Sequence, residues 1–287
     1  MSRLNILLQY LLPHHALSRL VGWLTRVRWP PFKNALTRLF VAGFKPDLSD
    51  AQVTDPLAYE HFNAFFTRAL RPGARPLAGD ARTVVSPVDG TMSQCGALER
   101  NQILQAKGRH YSIEALLAGA AMPWAAGLTG GTFATIYLAP YNYHRIHMPT
   151  DGTLKSIWYV PGRLFSVNNT AARMVSEVFA RNERLVLLFE GSAGPFAVVF
   201  VGALNVGSMA TVWHGDVTPR RPRIASALPL PPAAERFRAR GEEIGRFNMG
   251  STVVLLFGPD VAALEPIAPG ATMRLGQRLG QLGSART

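Results

Sequence analysis

From Thr83 onward the chain is cut into short apolar runs, and this punctuation limits the fold more than any other feature of the sequence. Eight such runs, Thr83–Val85, Gln102–Gln105, Gly131–Leu138, Thr153–Val160, Arg184–Glu190, Phe196–Ala203, Val206–Val212 and Ser251–Phe257, are separated by Gly, Pro, Asp and Asn. Runs of that length and spacing predict the strands of an antiparallel sandwich or barrel. Two short helices, Ile113–Leu117 and Ala171–Ala180, are expected to interrupt them. The stretch RPGARPLAGD (71–80) reads as a Pro/Gly linker, so residues 1–80 and 81–287 are expected to form separate regions. Ahead of the linker, residues 1–46 read as mainly helical, broken at Pro13 and at Pro30-Pro31. Asp55-Pro56 supplies an N-cap and a first-turn proline for a further helix over Leu57–Leu70. The expected class is α+β, a mainly antiparallel β core with an N-terminal helical attachment. At 287 residues and 48% hydrophobic, the chain has the material for a sizeable core.

The formal net charge of +12 points to an anionic partner, a nucleic acid or an anionic membrane. Its distribution decides between them. Residues 1–46 hold Arg3, Arg19, Arg26, Arg28, Lys33, Arg38 and Lys45 and no carboxylate, interleaved with Tyr10, Trp23, Trp29, Phe32, Phe40 and Phe44. Cations beside Trp, Phe and Leu suit a helix lying in a membrane interface better than an arm for nucleic acid. A membrane-spanning helix is not expected, because the most apolar stretch, Leu4–Ser18, is interrupted by Asn5, Gln9, Pro13, His14 and His15. The same stretch lacks a clear small-residue cleavage site and fits a signal peptide poorly. Cys95 is the only cysteine, which rules out an intrachain disulfide and is compatible with a reducing cytoplasm.

The stretch GRFNMGSTVVLLF (245–257) sets a Gly250-Ser251 pair at the mouth of an apolar strand. A glycine leaves its carbonyl unshielded, and the next residue's hydroxyl can attack it in an N-to-O shift. Serine needs a base for this. Of the seven histidines, His144 and His147 stand out in APYNYHRIHMPTDG (139–152), a junction between two strands. Metal ligation by this pair is not expected: no carboxylate lies between Glu114 and Pro149, and no cysteine is near. In VVSPVDGTM (84–92), Asp89 sits in a tight turn after a strand, where Asp-Gly is also an ordinary hairpin choice. Asp, His and Ser in one fold satisfy the logic of a nucleophile, a base and a group that orients the base.

Six segments taken in order, FFTRALRPGARPL (65–77), SPVDGTM (86–92), YNYHRIHMP (141–149), GRLFSVN (162–168), FARNER (179–184) and GRFNMGSTVVLLF, resemble the bacterial phosphatidylserine decarboxylase proenzymes. The family's Leu-Gly-Ser-Thr signature appears here as Met249-Gly250-Ser251-Thr252, a volume-conserving change that leaves the Gly-Ser pair intact. The resemblance implies self-cleavage between Gly250 and Ser251 into a β chain, 1–250, and an α chain, 251–287, held together as partners. It implies that Ser251 becomes a pyruvoyl group, with Asp89, His147 and Ser251 as the triad for that step. The ketone would form a Schiff base with the amine of phosphatidylserine and act as the electron sink for loss of carbon dioxide. His144 is the candidate for assisting decarboxylation or protonation, and Phe165, Ser166 and Asn168 for contacting the substrate. The resemblance further suggests a homodimer and a peripheral place on the cytoplasmic side of the cell membrane, with no nucleic acid and no metal.

Three rival readings make different demands. A serine hydrolase would keep Ser251 intact, but the nucleophile elbow Gly-x-Ser-x-Gly is absent around it. A pyruvoyl enzyme for a soluble amino acid has no use for a cationic aromatic arm. A non-enzymatic membrane or nucleic-acid binding module predicts an uncut chain.

Overall fold

The computed structural model describes residues 9–10, 12–99, 101–106, 108–118, 122–167, 169–203, 208–218, 224–250 and 252–284. A nine-stranded sheet dominates it, and every ladder within that sheet is antiparallel. Its longest members are Gly90–Ala97, Thr132–Tyr137, Gly152–Val160, Arg184–Gly191, Gly194–Val201 and Thr252–Phe257. A four-stranded sheet carries Arg145–His147 and Glu243–Phe247, a three-stranded sheet closes on Arg278–Leu282, and a two-stranded hairpin completes the set. Together with the helices this is the α+β class with an antiparallel core.

Thr252–Phe257 lies between Gly194–Val201 and Thr132–Tyr137, with Thr252 opposite Val201 and Tyr137, and Phe257 opposite Phe196 and Thr132. All six of its residues are buried. Strand side chains alternate between faces, so Val253, Leu255 and Phe257 enter one core and Val254 and Leu256 the other. Burial on both faces explains why the sequence there is a continuous apolar run instead of an alternating one. The missed strand Gly90–Ala97 has the opposite character: GTMSQCGA holds only Met92, Cys95 and Ala97 as apolar side chains and gives no such run.

Two expected helices differ. The helix over Leu57–Leu70 shrinks to Phe62–Phe66, capped by His61, whose Nδ1 accepts the Ala64 N–H at 2.9 Å. Asp55 closes a local turn instead, its carboxylate accepting the Leu57 N–H. The Leu57 carbonyl goes to Lys33 Nζ at 2.8 Å, and the Thr67 carbonyl accepts from Arg145 Nε at 2.9 Å. The helix over Ala171–Ala180 splits into Asn169–Met174 and Val178–Arg181 at Glu177, whose φ is 53°. Buried Gln105 stitches the break, donating to the Ala172 and Val175 carbonyls and accepting the Val178 N–H.

The N-terminal arm consists of His14–Leu24 and Pro30–Phe44, the second starting at its proline pair. Its inward face is unusual. The first helix buries His14, Ser18 and Gly22, and the second buries Lys33, Thr37 and Phe40. Tyr10, Leu12, Leu20, Trp23, Trp29, Leu39 and Phe44 are exposed, Leu39 at 73% and Trp23 at 66%. No helix among the described residues is long and apolar enough to cross a membrane.

Candidate active site

Gly250 sits where the central strand begins, and the structure shows why it has no side chain. A Cβ at that position would lie 3.0 Å from His144 Nε2 and 3.2 Å from the Leu138 carbonyl oxygen. The preceding residues are pinned. The Asn248 N–H donates to the Ser208 carbonyl at 2.9 Å, and its side-chain amide donates to Asp216 at 2.8 Å and to the Ser208 hydroxyl. Its amide oxygen accepts from Asn63 at 3.1 Å. Met249 packs against the Phe40, Phe62, Phe65 and Phe66 cluster. Ser251 itself, like Asn168, lies outside the described residues.

His144 reaches Gly250 because Arg145–His147 pairs with Glu243–Phe247, and the Phe247 N–H donates to the His144 carbonyl at 3.0 Å. The His144 ring is fully buried, 4.1 Å from the Phe66 ring. Burial, with Arg68 adding to it, drives its pKa down to about 3, so the imidazole is neutral near pH 7. Nδ1 meets the Asn142 carbonyl oxygen at 2.8 Å. A carbonyl only accepts, so Nδ1 carries the proton and Nε2 presents its lone pair. Among the described residues that Nε2 has no hydrogen-bond partner, and neither has the buried Thr252 hydroxyl.

His147 is arranged otherwise than the triad logic expects. Its Nδ1 donates to the Gly241 carbonyl at 2.8 Å, and its Nε2 pairs with the Tyr143 hydroxyl at 3.0 Å. Burial lowers its pKa, and it too is neutral. Asp89 lies on the neighbouring turn, where the Pro87 carbonyl accepts the His147 N–H at 2.9 Å. The Asp89 carboxylate is held by Arg75, with Nη2 at 2.7 Å and Nε at 3.0 Å, and by the Leu275 N–H at 2.8 Å. The tautomer of His147 is therefore set by a backbone carbonyl and a tyrosine, while Asp89 is set by an arginine. Arg75 and Tyr143 were missed as candidates, although both lie within segments already singled out: FFTRALRPGARPL and YNYHRIHMP.

The loop containing Phe165 and Ser166 sits beneath the N-terminal arm. The buried Phe165 ring is 4.8 Å from Tyr10 and 5.3 Å from His14, with the Arg181 guanidinium 5.0 Å over it. The Ser166 N–H donates to Gln9 at 2.9 Å, and the Leu164 N–H to His14 at 3.2 Å. These contacts tie the loop to the arm.

A family model described as phosphatidylserine decarboxylase matches residues 62–281, and one described as PSD matches residues 4–45. The phosphatidylserine decarboxylase proenzyme of Pseudomonas fluorescens strain Pf-5 is 52% identical over 286 residues, which covers 97% of each chain. That of Ectopseudomonas mendocina strain ymp is 51% identical over 281 residues, covering 97% of this chain and 98% of the relative. That of Stutzerimonas stutzeri strain A1501 is 49% identical over 283 residues, covering 98% and 95%. A match of this extent, on a chain that buries His144 against Gly250 at the mouth of its central strand, places it in the phosphatidylserine decarboxylase family.

Proposed function

We propose that this phosphatidylserine decarboxylase cuts itself between Gly250 and Ser251, and that the resulting pyruvoyl group sits against His144. The observation that carries this reading is His144 Nε2, without a hydrogen-bond partner among the described residues and 3.0 Å from where a Cβ on Gly250 would lie. Once formed, the ketone would supply the electron sink for a headgroup amine losing carbon dioxide. The chain's own residues do the rest. Gly250 leaves room for the Ser251 oxygen to reach the carbonyl carbon. The neutral His144, fixed through Asn142, accepts or returns a proton at Nε2 beside the reacting centre. For His147 and Asp89 we keep the role of removing the Ser251 proton before cleavage, on the strength of their motifs. In that role Tyr143 must first release His147 Nε2. Phe165 and Ser166 we place at the joint between arm and catalytic region, since their contacts run to Gln9, Tyr10 and His14.

The arm then has a use. With its polar face inward and Trp23, Trp29 and Leu39 outward, it lies on the bilayer as an interfacial helix pair, helped by the exposed cations Arg19 and Arg38. Arg26 and Lys33 do not share in this, being turned toward Asp216 and the Leu57 carbonyl.

An intact-mass spectrum under denaturing conditions tests the central claim. The expected result is two species, 1–250 and a 251–287 fragment lighter than its encoded mass by one ammonia. A single uncut mass from active protein would overturn it. Ser251→Ala should give the uncut mass and no decarboxylation. His147→Ala should stay uncut, whereas His144→Ala should be cut yet decarboxylate poorly. Normal cutting of His147→Ala would remove that residue from the base role.

A further inference from the structure

Arg68 is a buried cation that neither the fold nor the mechanism accounts for. The residue is 3% exposed, and among the described residues its Nε and Nη1 have no hydrogen-bond partner. Nη2 donates to the Tyr141 carbonyl at 3.2 Å, and the guanidinium stands 5.7 Å over the Phe65 ring. The carboxylates that attract it, Asp89 and Asp47, act only at a distance, and Asp89 is taken by Arg75. A buried guanidinium with open N–H groups is costly unless an anion or another acceptor meets it.

Two cavities border this side chain. The smaller, about 150 Å³, balances Arg68, Arg75 and Arg274 against Asp47, Asp50 and Asp89. The larger, about 410 Å³, brings Arg68 and Arg246 together with Arg145, which Glu243 pairs at 2.9 Å, against one carboxylate in its wall, Glu60. Excess positive charge in the larger cavity suits an anion. It also adjoins the reacting centre. Asn63, in its wall, donates to Asn248, two residues before Gly250. Arg68 and His144 hold the consecutive carbonyls of Tyr141 and Asn142.

We propose that Arg68 receives the phosphodiester of the lipid headgroup, in the cavity it shares with Arg145 and Arg246. This rests on the decarboxylase reading above and names the group that orients its substrate. The headgroup carries two anions, and the chemistry chooses between them. An ion pair to the carboxylate would stabilise the ground state and vanish as carbon dioxide leaves, which raises the barrier. The phosphodiester keeps its charge from substrate to product. A guanidinium matches its paired oxygens through two parallel N–H bonds.

The test uses the mature enzyme, Arg68→Gln and Arg68→Lys. Intact mass first establishes that each variant is cut. Glycerophosphocholine, a phosphodiester with neither carboxylate nor reactive amine, serves as the binding probe, with sodium acetate at matched ionic strength as the carboxylate probe. Glycerophosphocholine should raise the melting temperature of the wild type, as any ligand of the folded state does, and acetate should not. Arg68→Gln should lose the shift and raise KM for phosphatidylserine by about tenfold or more with kcat nearly unchanged. Arg68→Lys should fall between, since an ammonium keeps the charge without the fork. It also serves as the informative variant if Arg68→Gln does not fold. An unchanged shift and KM in both variants would overturn the proposal. So would a fall in kcat at constant KM, or an equal response to acetate. The glycerophosphocholine shift needs no ketone, so it reports on Arg68 even if the mass spectrum rejects the pyruvoyl group.

Discussion

The central strand and the N-terminal arm are both rich in apolar residues, yet they use them in opposite ways. Thr252–Phe257 sends side chains into two cores and leaves none exposed. The arm packs His14, Ser18, Lys33 and Thr37 inward and turns its tryptophans out. In the first region hydrophobicity holds the fold, and in the second much of it lies on the surface. The site lies between them: Gly250 stands two residues before the strand, while Met249 and Phe66 belong to the cluster that holds Phe40 of the arm.

The sharpest way to break this contrast is to truncate one leucine in each region. Leu255 is fully buried, so Leu255→Ala should cost about 2–5 kcal/mol, by the transfer and cavity terms together. Leu39 is 73% exposed, and Leu39→Ala should change stability by less than about 0.5 kcal/mol. Urea unfolding of the uncut Ser251→Ala background measures both. Equal losses would mean that the arm's outer face is packed after all.

Cleavage gives the next largest effect. Gly250→Ala places a methyl 3.0 Å from His144 Nε2 and 3.2 Å from the Leu138 carbonyl, both tighter than ordinary contact. Processing should slow by about tenfold, the factor that some 1.4 kcal/mol of added barrier produces. A time course of intact mass after synthesis would follow it. Processing at the wild-type rate would show that the strand mouth has slack.

The sequence made the central strand easy to read because a strand buried on both faces must be apolar throughout. The same rule hid Gly90–Ala97, whose mixed sequence gives no apolar run. The helix over Leu57–Leu70 was overestimated because Asp55-Pro56 reads as a helix start, but Asp55 closes a local turn and Lys33 and Arg145, distant in sequence, take the Leu57 and Thr67 carbonyls. At the site, residue types and order brought Asp89, His144 and His147 into view. Their pairing was not legible, because Arg75, Tyr143 and Gly241 reach them only through the fold. Arg68 was visible as a letter within a motif, and its orphaned nitrogens only in three dimensions.

The arm's outer face sharpens the comparison from the other side. Trp23→Ala together with Trp29→Ala should weaken binding to vesicles containing phosphatidylserine several-fold while leaving stability and self-cleavage intact. Sedimentation of vesicles with the protein measures it. Binding of the wild type should also weaken as salt rises, because headgroup attraction is screened. Salt-independent binding would leave apolar insertion as the whole attraction.

A further expected effect concerns His144, the group that joins the two regions. Its folded pKa is about 3 against an ordinary 6.5. Between those values the unfolded chain holds a proton that the folded chain refuses. Its contribution is therefore fully present above pH 6.5 and is lost as pH falls toward 3, with a slope approaching about 1.4 kcal/mol per pH unit. His144→Gln removes this term, while His147, His14 and His61, also lowered by burial, act alike in both proteins. The melting temperature of the wild type should thus fall more steeply than that of His144→Gln between pH 6.5 and 5, by about 2–4 °C per unit for a chain of this size. Parallel curves would mean that His144 accepts a proton in the folded state, and the lone pair facing Gly250 would then not be its resting form.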